Sequence, residues 1–236
     1  MTAKDVLKEI ETLGNAATKR MLMKNHGIQE PFFGVKVGDL KKIQKRIKRD
    51  YQLALDLYDS GNYDAMYLAG LIADDARMTK RDLRRWVKKA CAGSLPGATV
   101  AWVAAGSLHG NALALEWIDS TKELEAVAGW STLCSLIAIK GDAELDLPAL
   151  KRLLGRVQES IHQAPDCVRY AMNGFVIALG SYVTSLTEQA IKAGEKIGPV
   201  HANLGDNACQ IPFAPDYIRK IQQRGSIGKK RKTAKC

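Results

Sequence analysis

The chain has 236 residues, of which 46% are hydrophobic and 25% charged. This composition is typical of a soluble globular protein and excludes a disordered or collagen-like chain, and a chain of this length can bury a core without metals or disulfides. Lys and Arg total 35 against 25 Asp and Glu, and the resulting net charge of +10 favours a polyanionic partner such as nucleic acid.

The excess of positive charge lies at the C-terminus. Residues 219–236 contain eight basic residues and no acidic one, which leaves 27 basic and 25 acidic residues in the rest of the chain. The sequence therefore predicts one nearly neutral domain over residues 1–218 and a basic C-terminal tail over residues 219–236.

The cysteines and the N-terminus bear on the cellular compartment. The five cysteines form no CxxC pair, their number is odd, and the first residues include no apolar signal segment. We therefore expect a reduced, cytoplasmic protein without a structural disulfide. The apolar stretches are shorter than the roughly 20 residues of a membrane span, so we expect no contact with a membrane.

Apolar residues recur with the helical period along almost the whole chain, beginning with residues 6–13 and continuing through 40–47 and 83–90. The alternation typical of strands is not sustained anywhere in the sequence. Turn-forming residues follow at short intervals, which predicts about a dozen short helices joined by tight turns.

Three of the predicted helices, at residues 63–73, 124–138 and 168–183, resemble one another because each has a glycine near its middle. These glycines are Gly70, Gly129 and Gly174. A mid-helix glycine costs about 1 kcal/mol relative to alanine, so its recurrence indicates close approach between stacked helices. The pattern favours an all-α fold, an α-solenoid of HEAT-like helical repeats. An irregular helical bundle would show the same periodicity and is the alternative.

Sequence motifs for metal, nucleotide or acyl-transfer chemistry are missing. The four histidines are far apart, no Cys/His cluster has zinc spacing, and HExxH, GxGxxG, P-loop and GxSxG motifs do not occur. The sequence therefore predicts no metal site and no small-molecule cofactor.

Two predicted helices, at residues 37–49 and 79–89, combine an apolar stripe with many cations. Either helix could lie on phosphate or simply present a solvated outer face. The basic tail shifts the balance toward DNA, because a structural role does not require eight uncompensated charges. The candidate DNA-contacting cations are Lys36, Lys41, Lys42, Lys45, Arg84, Arg85, Lys88, Arg224, Lys229, Lys230, Arg231, Lys232 and Lys235.

Residues 32–47 (FFGVKVGDLKKIQKRI), the helix YDAMYLAGLIAD and the basic tail at the end of a helical array resemble the HEAT-like repeat family of DNA alkylation repair proteins, the AlkD-type alkylpurine DNA glycosylases. The resemblance covers most of the chain. It implies a curved array whose concave basic face holds duplex DNA. In catalytic members it implies excision of N3- and N7-alkylated purines.

That chemistry needs a carboxylate beside the developing sugar oxocarbenium ion, a cation on nearby phosphate and aromatic faces for the cationic base. In the family these are a Trp-x-x-x-Asp pair, an Arg on a following helix and a further Trp. No such pair occurs here, residues 94–106 contain no acid, and no arginine lies between residues 86 and 151. Of these family residues, only the further Trp has a counterpart in this sequence, the aromatic residue Phe175.

The favoured hypothesis is a DNA-binding member of this superfamily that recognises duplex or branched DNA by backbone charge and shape, without glycosylase activity and without catalytic residues. Trp130 and Phe175 are expected to line its DNA-facing groove, with a core position as the alternative. A second hypothesis is an active glycosylase that uses a relocated acid, Glu116, Asp119 or Glu125. A third is a helical scaffold that binds protein or RNA.

Overall fold

The structure, a computed structural model, describes residues 1–90, 94–204 and 210–235, and every regular element in these ranges is a helix. This confirms the predicted all-α class. The helices are α1 (Ala3–Thr12), α2 (Ala16–His26), α3 (Val37–Ile47), α4 (Tyr51–Asp59), α5 (Tyr63–Ile72), α6 (Lys80–Lys89), α7 (Ala101–Gly106), α8 (Gly110–Trp117), α9 (Glu123–Ile139), α10 (Leu147–Ser160), α11 (Asp166–Tyr182), α12 (Thr187–Ile197) and α13 (Ala214–Gln223).

Local side-chain caps define where many of these helices begin. Thr2 and Thr79 each form a capping box with an aspartate three residues later, and Asn15, Asp50 and Asn62 cap α2, α4 and α5. A cap of this kind stabilises a helix by about 1 kcal/mol. The chain is thereby divided into the short helices that the turn residues predict.

From α4 onward the helices alternate between two layers. In the outer layer, Tyr58 of α4 stacks on Trp86 of α6 with ring centroids 4.1 Å apart, and Arg84 of α6 reaches Glu116 of α8. In the inner layer, α5 is buried along its whole length and α9 packs against both α7 and α11. The inner layer therefore consists of α5, α7, α9 and α11, and the outer layer of α4, α6, α8, α10 and α12.

Two of the three recurrent glycines lie at close helix contacts. A Cβ at Gly70 would lie 2.6 Å from Thr99 Cγ2, and one at Gly129 would lie 2.6 Å from the backbone nitrogen of Ile118. For Gly174 the prediction of close approach is wrong, because a Cβ there would meet only Cys134 Sγ at 3.9 Å, an ordinary contact.

The loop before α3 is held by a buried carboxylate on α5. Asp64 is 1% exposed, and its carboxylate accepts hydrogen bonds from the backbone N–H groups of Phe33 (2.6 Å), Gly34 (3.0 Å) and Val35 (3.2 Å). Burial raises the pKa of Asp64, and the three N–H donors oppose that shift. Gly34 has φ +77°, a conformation that favours glycine, and a Cβ there would clash with Lys19. The motifs FFGV and YDAM therefore form one structural unit.

The predicted boundary between domain and tail is wrong. It falls between residues 218 and 219, inside α13, and Arg219 just after it pairs with Glu195 of α12. Residues 225–235, called here the C-terminal strap, pack back onto the helices, and Ala234 is only 5% exposed. The C-terminus is therefore part of the domain and not a free tail.

The described cysteines, Cys134 and Cys167, are free thiols, whereas Cys91, Cys209 and Cys236, on which the predicted lack of disulfides also rests, lie outside the described residues. Among the described helices, none is long and apolar enough to cross a membrane.

Candidate nucleic-acid interface

The C-terminal strap runs across the ends of the inner-layer helices. The N–H of Gly228 donates to the carbonyl of Ser181 (2.9 Å) at the end of α11, and the N–H of Arg231 donates to the carbonyl of Ala138 (2.7 Å) near the end of α9. The last carbonyls of a helix have no partner within the helix and have a partial negative charge. The strap therefore satisfies groups that the helices leave unpaired.

Lysine side chains of the strap supply further contacts at the same edge. Lys230 Nζ donates to the carbonyl of Ile137 (3.0 Å) and pairs with Asp142 (2.9 Å). Lys235 Nζ donates to the carbonyl of Ala73 (2.8 Å), the residue directly after α5, and pairs with Asp75 (2.7 Å). Both lysines thus place a cation at the negative end of a helix.

The Lys235–Asp75 ion pair is largely buried. Burial raises the pKa of Asp75 and lowers the pKa of Lys235, while the attraction between the two charges opposes both shifts. Gly106, the last residue of α7, packs against Asp75 with no room for a Cβ. The strap therefore connects the ends of α5, α7, α9 and α11.

Not all of the C-terminal charge is available to a ligand. Arg219, Lys230 and Lys235 pair with acids of the body, so the prediction of eight uncompensated charges is wrong. Within the described part of the chain, the other five of these eight cations have no ion pair and are exposed: Lys220, Arg224, Lys229, Arg231 and Lys232.

The end of α3 lies beside the end of the strap. The N–H of Asp50 donates to the carbonyl of Ile72 (2.9 Å), which brings the segment after α3 to the end of α5. Arg49 is near enough for its charge to act on Asp75 and Lys235. We call the exposed cations of this region the basic edge: Lys48, Arg49, Lys229, Arg231 and Lys232.

The other cations predicted on or just before α3 come earlier in the chain than Lys48 and Arg49. Lys42 pairs with Asp39 (2.8 Å), Lys41 is half-buried, and Lys36 and Lys45 are exposed. Lys48 and Arg49 are not among the predicted DNA-contacting cations, although both belong to the same basic run. Their proximity to the strap depends on contacts between distant parts of the chain.

Lys48 adopts φ +66°, a conformation that costs a residue with a Cβ about 1–2 kcal/mol. Lys48→Gly is therefore expected to raise the free energy of unfolding by about 1 kcal/mol and, at the same time, to weaken DNA binding by the loss of one cation. Urea denaturation and a salt-dependent binding assay measure the two effects. A variant that is stabilised and binds DNA as tightly as the wild type would show that Lys48 does not contact DNA.

The predicted cations of α6 lie elsewhere, in the outer layer. Arg84 donates from Nε to Glu116 (2.9 Å), Arg85 pairs with Asp59 (3.2 Å), and Lys88 is exposed. The structure thus separates the predicted cations into two groups, one around the strap and α3 and one on α6.

The predicted exposure of Trp130 and Phe175 is wrong. They are 1% and 0% exposed, and their rings meet edge to face with centroids 5.3 Å apart. They belong to the core because α9 and α11 pack directly on each other through these rings. The half-buried positions of α9 include the neutral residues Val127, Ser131 and Ser135, and Val127 and Ser131 lie beside Gly97.

The sequence pattern of the DNA alkylation repair enzyme family matches residues 6–218. The chain belongs to this family. Two relatives are each 33% identical over 222 residues, which cover 92% of this chain and 95% of theirs: the uncharacterized proteins Lin0241 of Listeria innocua and Lmo0209 of Listeria monocytogenes.

One solved structure is similar to this protein, with a TM-score of 0.92 and 36% sequence identity. The match covers 100% of this chain and 100% of the other chain. That protein represents a new family related to the HEAT-like repeat DNA glycosylases with affinity for branched DNA structures. The fold is therefore the HEAT-like repeat fold, as the sequence predicts, and the alternative of an irregular bundle is wrong.

Family membership makes residues 94–106 the expected position of the Trp-x-x-x-Asp pair. Here they form a π-helical turn, Leu95–Val100, followed by α7. Gly97 and Ala98 are half-buried and Thr99 is fully buried. Residues 94–106 therefore contribute no carboxylate of their own, and the acid that packs against their end, Asp75, is paired with Lys235.

The acids considered as replacements are engaged elsewhere. Asp119 pairs with Arg156 (2.6 Å), Glu116 accepts from Arg84, and Glu125 accepts from the hydroxyl of Ser120 (2.8 Å). Asp75, which no sequence motif marks, packs against the end of α7, and its charge is paired with that of Lys235.

The described cysteines do not provide a nucleophile. Burial raises the pKa of Cys134 to about 12, and burial with the nearby Glu123 raises the pKa of Cys167 to about 11, so both thiols stay protonated near neutral pH. In the described ranges no three His, Cys, Asp or Glu side chains cluster in a way that could hold a metal ion.

Proposed function

We propose that this protein binds branched or otherwise distorted DNA through backbone charge and shape, and that it does not excise alkylated bases. The observation that carries the proposal is the basic edge, where the strap and α3 place five exposed cations along one side of the inner layer. Cations that lack protein partners are suited to neutralise phosphates, and such contacts are independent of sequence.

The relative with 36% identity has affinity for branched DNA structures, which supports the same class of ligand for this chain. The neutral, half-buried residues of α9 would by themselves suit a protein-binding scaffold. The basic edge that borders the inner layer favours DNA instead, because a protein partner does not require a row of unpaired cations.

Duplex binding is expected to weaken with salt, with a log–log slope near −4 to −6 if about five to seven phosphates are neutralised. Replacing the three exposed strap cations by glutamine (Lys229→Gln, Arg231→Gln and Lys232→Gln) should flatten the slope by about 3, because each lost phosphate contact contributes roughly 0.9. Fluorescence anisotropy across a salt series measures both slopes.

The matched control replaces Lys230 and Lys235, which are engaged by Asp142 and Asp75. Lys230→Gln with Lys235→Gln is expected to lower the melting temperature while it changes the salt slope by less than 1. Affinity that does not depend on salt in the wild type would contradict the proposed mode of binding.

Release of 3-methyladenine or 7-methylguanine from methylated duplex DNA is expected at the level of the protein-free reaction, because no carboxylate lies where it would stabilise the oxocarbenium ion. Chromatography of the released bases, run beside the binding assay, measures this. Robust excision would overturn the proposal, and Asp75→Asn, Glu116→Gln, Asp119→Asn and Glu125→Gln would then identify the acid responsible.

A further inference from the structure

We infer that α6 is a second DNA-contacting surface, which binds the backbone of a second duplex arm at a branch point. The inference rests on the proposed function and assigns the arms of a branched DNA to two separate surfaces. The first arm lies on the basic edge. The second lies on the exposed side of α6, in the outer layer.

The sequence of α6, KRDLRRWVKK, contains six cations in ten residues. The six lie on one side of the helix, with their side chains next to one another: Lys80, Arg81, Arg84, Arg85, Lys88 and Lys89. Lys80, Arg84 and Lys88 follow one another at four-residue spacing, so they form a single row along the helix. The row is a linear array of cations of the kind that a phosphate backbone requires.

Neighbouring acids neutralise only part of this charge. Glu116 pairs with Arg84, and Asp59 pairs with both Arg85 and Lys89. Over the described ranges, Lys80, Arg81 and Lys88 have no ion pair. Like charges one turn apart destabilise a helix by a few tenths of a kcal/mol per pair, and an anionic ligand would offset that cost.

Other outer-layer helices do not have this arrangement. α10 has three cations in 14 residues, and one of them, Arg156, is paired with Asp119. α12 has two cations, Lys192 and Lys196, and two glutamates in 11 residues. A charged outer face is therefore not a general feature of the fold, and the concentration on α6 is specific to that helix.

The position of α6 separates it from the basic edge. Leu83, Trp86 and Val87 are its buried residues, so its cations face away from the inner layer. The two surfaces approach each other where α6 begins, because Lys80 follows Asp75 by five residues and Asp75 holds the end of the strap through Lys235.

This geometry excludes one straight duplex on both surfaces. Two layers of helices are about 20 Å thick, and a duplex stays straight over far longer distances, since its persistence length is about 150 base pairs. A branched DNA changes direction at the branch point without bending a duplex. Its branch point would lie near residues 73–80, with one arm along the basic edge and another along α6.

The test compares a four-way junction with a straight duplex built from the same arm sequences. The variant Lys80→Gln, Arg81→Gln and Lys88→Gln removes the cations that have no ion pair, so the contacts of Arg84, Arg85 and Lys89 are kept. It is expected to bind the junction about tenfold more weakly at moderate salt and to flatten the junction's salt slope by about 3, with less than a twofold change for the duplex.

The control variant removes the same number of charges from other outer-layer helices (Lys151→Gln, Arg152→Gln and Lys192→Gln), and it is expected to change neither affinity more than twofold. Equal losses for junction and duplex, or no loss for either, would overturn the inference about α6 and leave the proposed function standing. A wild-type protein that binds neither DNA would overturn both.

Discussion

Asp64→Ala is expected to lower the free energy of unfolding by about 3–5 kcal/mol, because the change leaves the N–H groups of Phe33, Gly34 and Val35 buried without an acceptor. An unsatisfied buried polar group costs about 1–3 kcal/mol, and three are created at once. Equilibrium urea denaturation followed by circular dichroism measures the loss. Asp64→Asn should cost less, since its side-chain carbonyl can still accept hydrogen bonds.

The matched control for this position is Asp56→Ala on α4. Asp56 is exposed, and its carboxylate accepts a hydrogen bond from the side chain of Gln52 (2.8 Å), so the expected loss is below about 0.5 kcal/mol. Equal losses for the Asp64 and Asp56 variants would show that the carboxylate does not hold the loop before α3.

Phe175→Ala is expected to lower the free energy of unfolding by about 3–5 kcal/mol, because it removes a fully buried ring that packs on Trp130. Below the melting temperature, the variant should bind junction and duplex DNA as the wild type does. Thermal melting and fluorescence anisotropy on the same samples separate the two effects.

Tyr170 offers the control on the same helix, since it is 49% exposed. Tyr170→Ala should cost less than about 1 kcal/mol. If Phe175→Ala instead weakens binding to the junction selectively and leaves the melting temperature unchanged, the ring contacts DNA, and its placement in the core is wrong.

The sequence predicts the helical fold well because the relevant signals are local. Caps such as Thr79 and Asn62 act on N–H groups within three residues, and the apolar period of each short helix lies within that helix. The close approach at Gly70 and Gly129 is also predictable, since a glycine inside a helix requires a packing reason.

The orientation of Trp130 could not be predicted from the sequence. The segment around it, AVAGWSTLC, has apolar or small residues on every side, so the sequence distinguishes no buried face. Only the packing of α9 on α11 decides that the ring points into the core.

The path of the strap could not be predicted for a different reason. Lys230 and its acceptor Ile137 are 93 residues apart, and Lys235 and its acceptor Ala73 are 162 residues apart. No local pattern in GSIGKKRKTAK encodes such partners. Composition alone therefore correctly shows the charge of this segment and gives no information about where it lies.

The contact of Lys235 with Ala73 and Asp75 changes how an array of repeats holds together. In a simple solenoid each repeat touches only its neighbours, so the array can open from either end. Here Lys235, the last described residue, binds near the end of α5. This contact closes the segment from α5 to the strap into a loop. During synthesis this closure must wait until residue 235 has left the ribosome, long after α5 has formed. The contact of Lys235 therefore joins a late segment of the chain to an early helix, which repeat-to-repeat packing alone does not do.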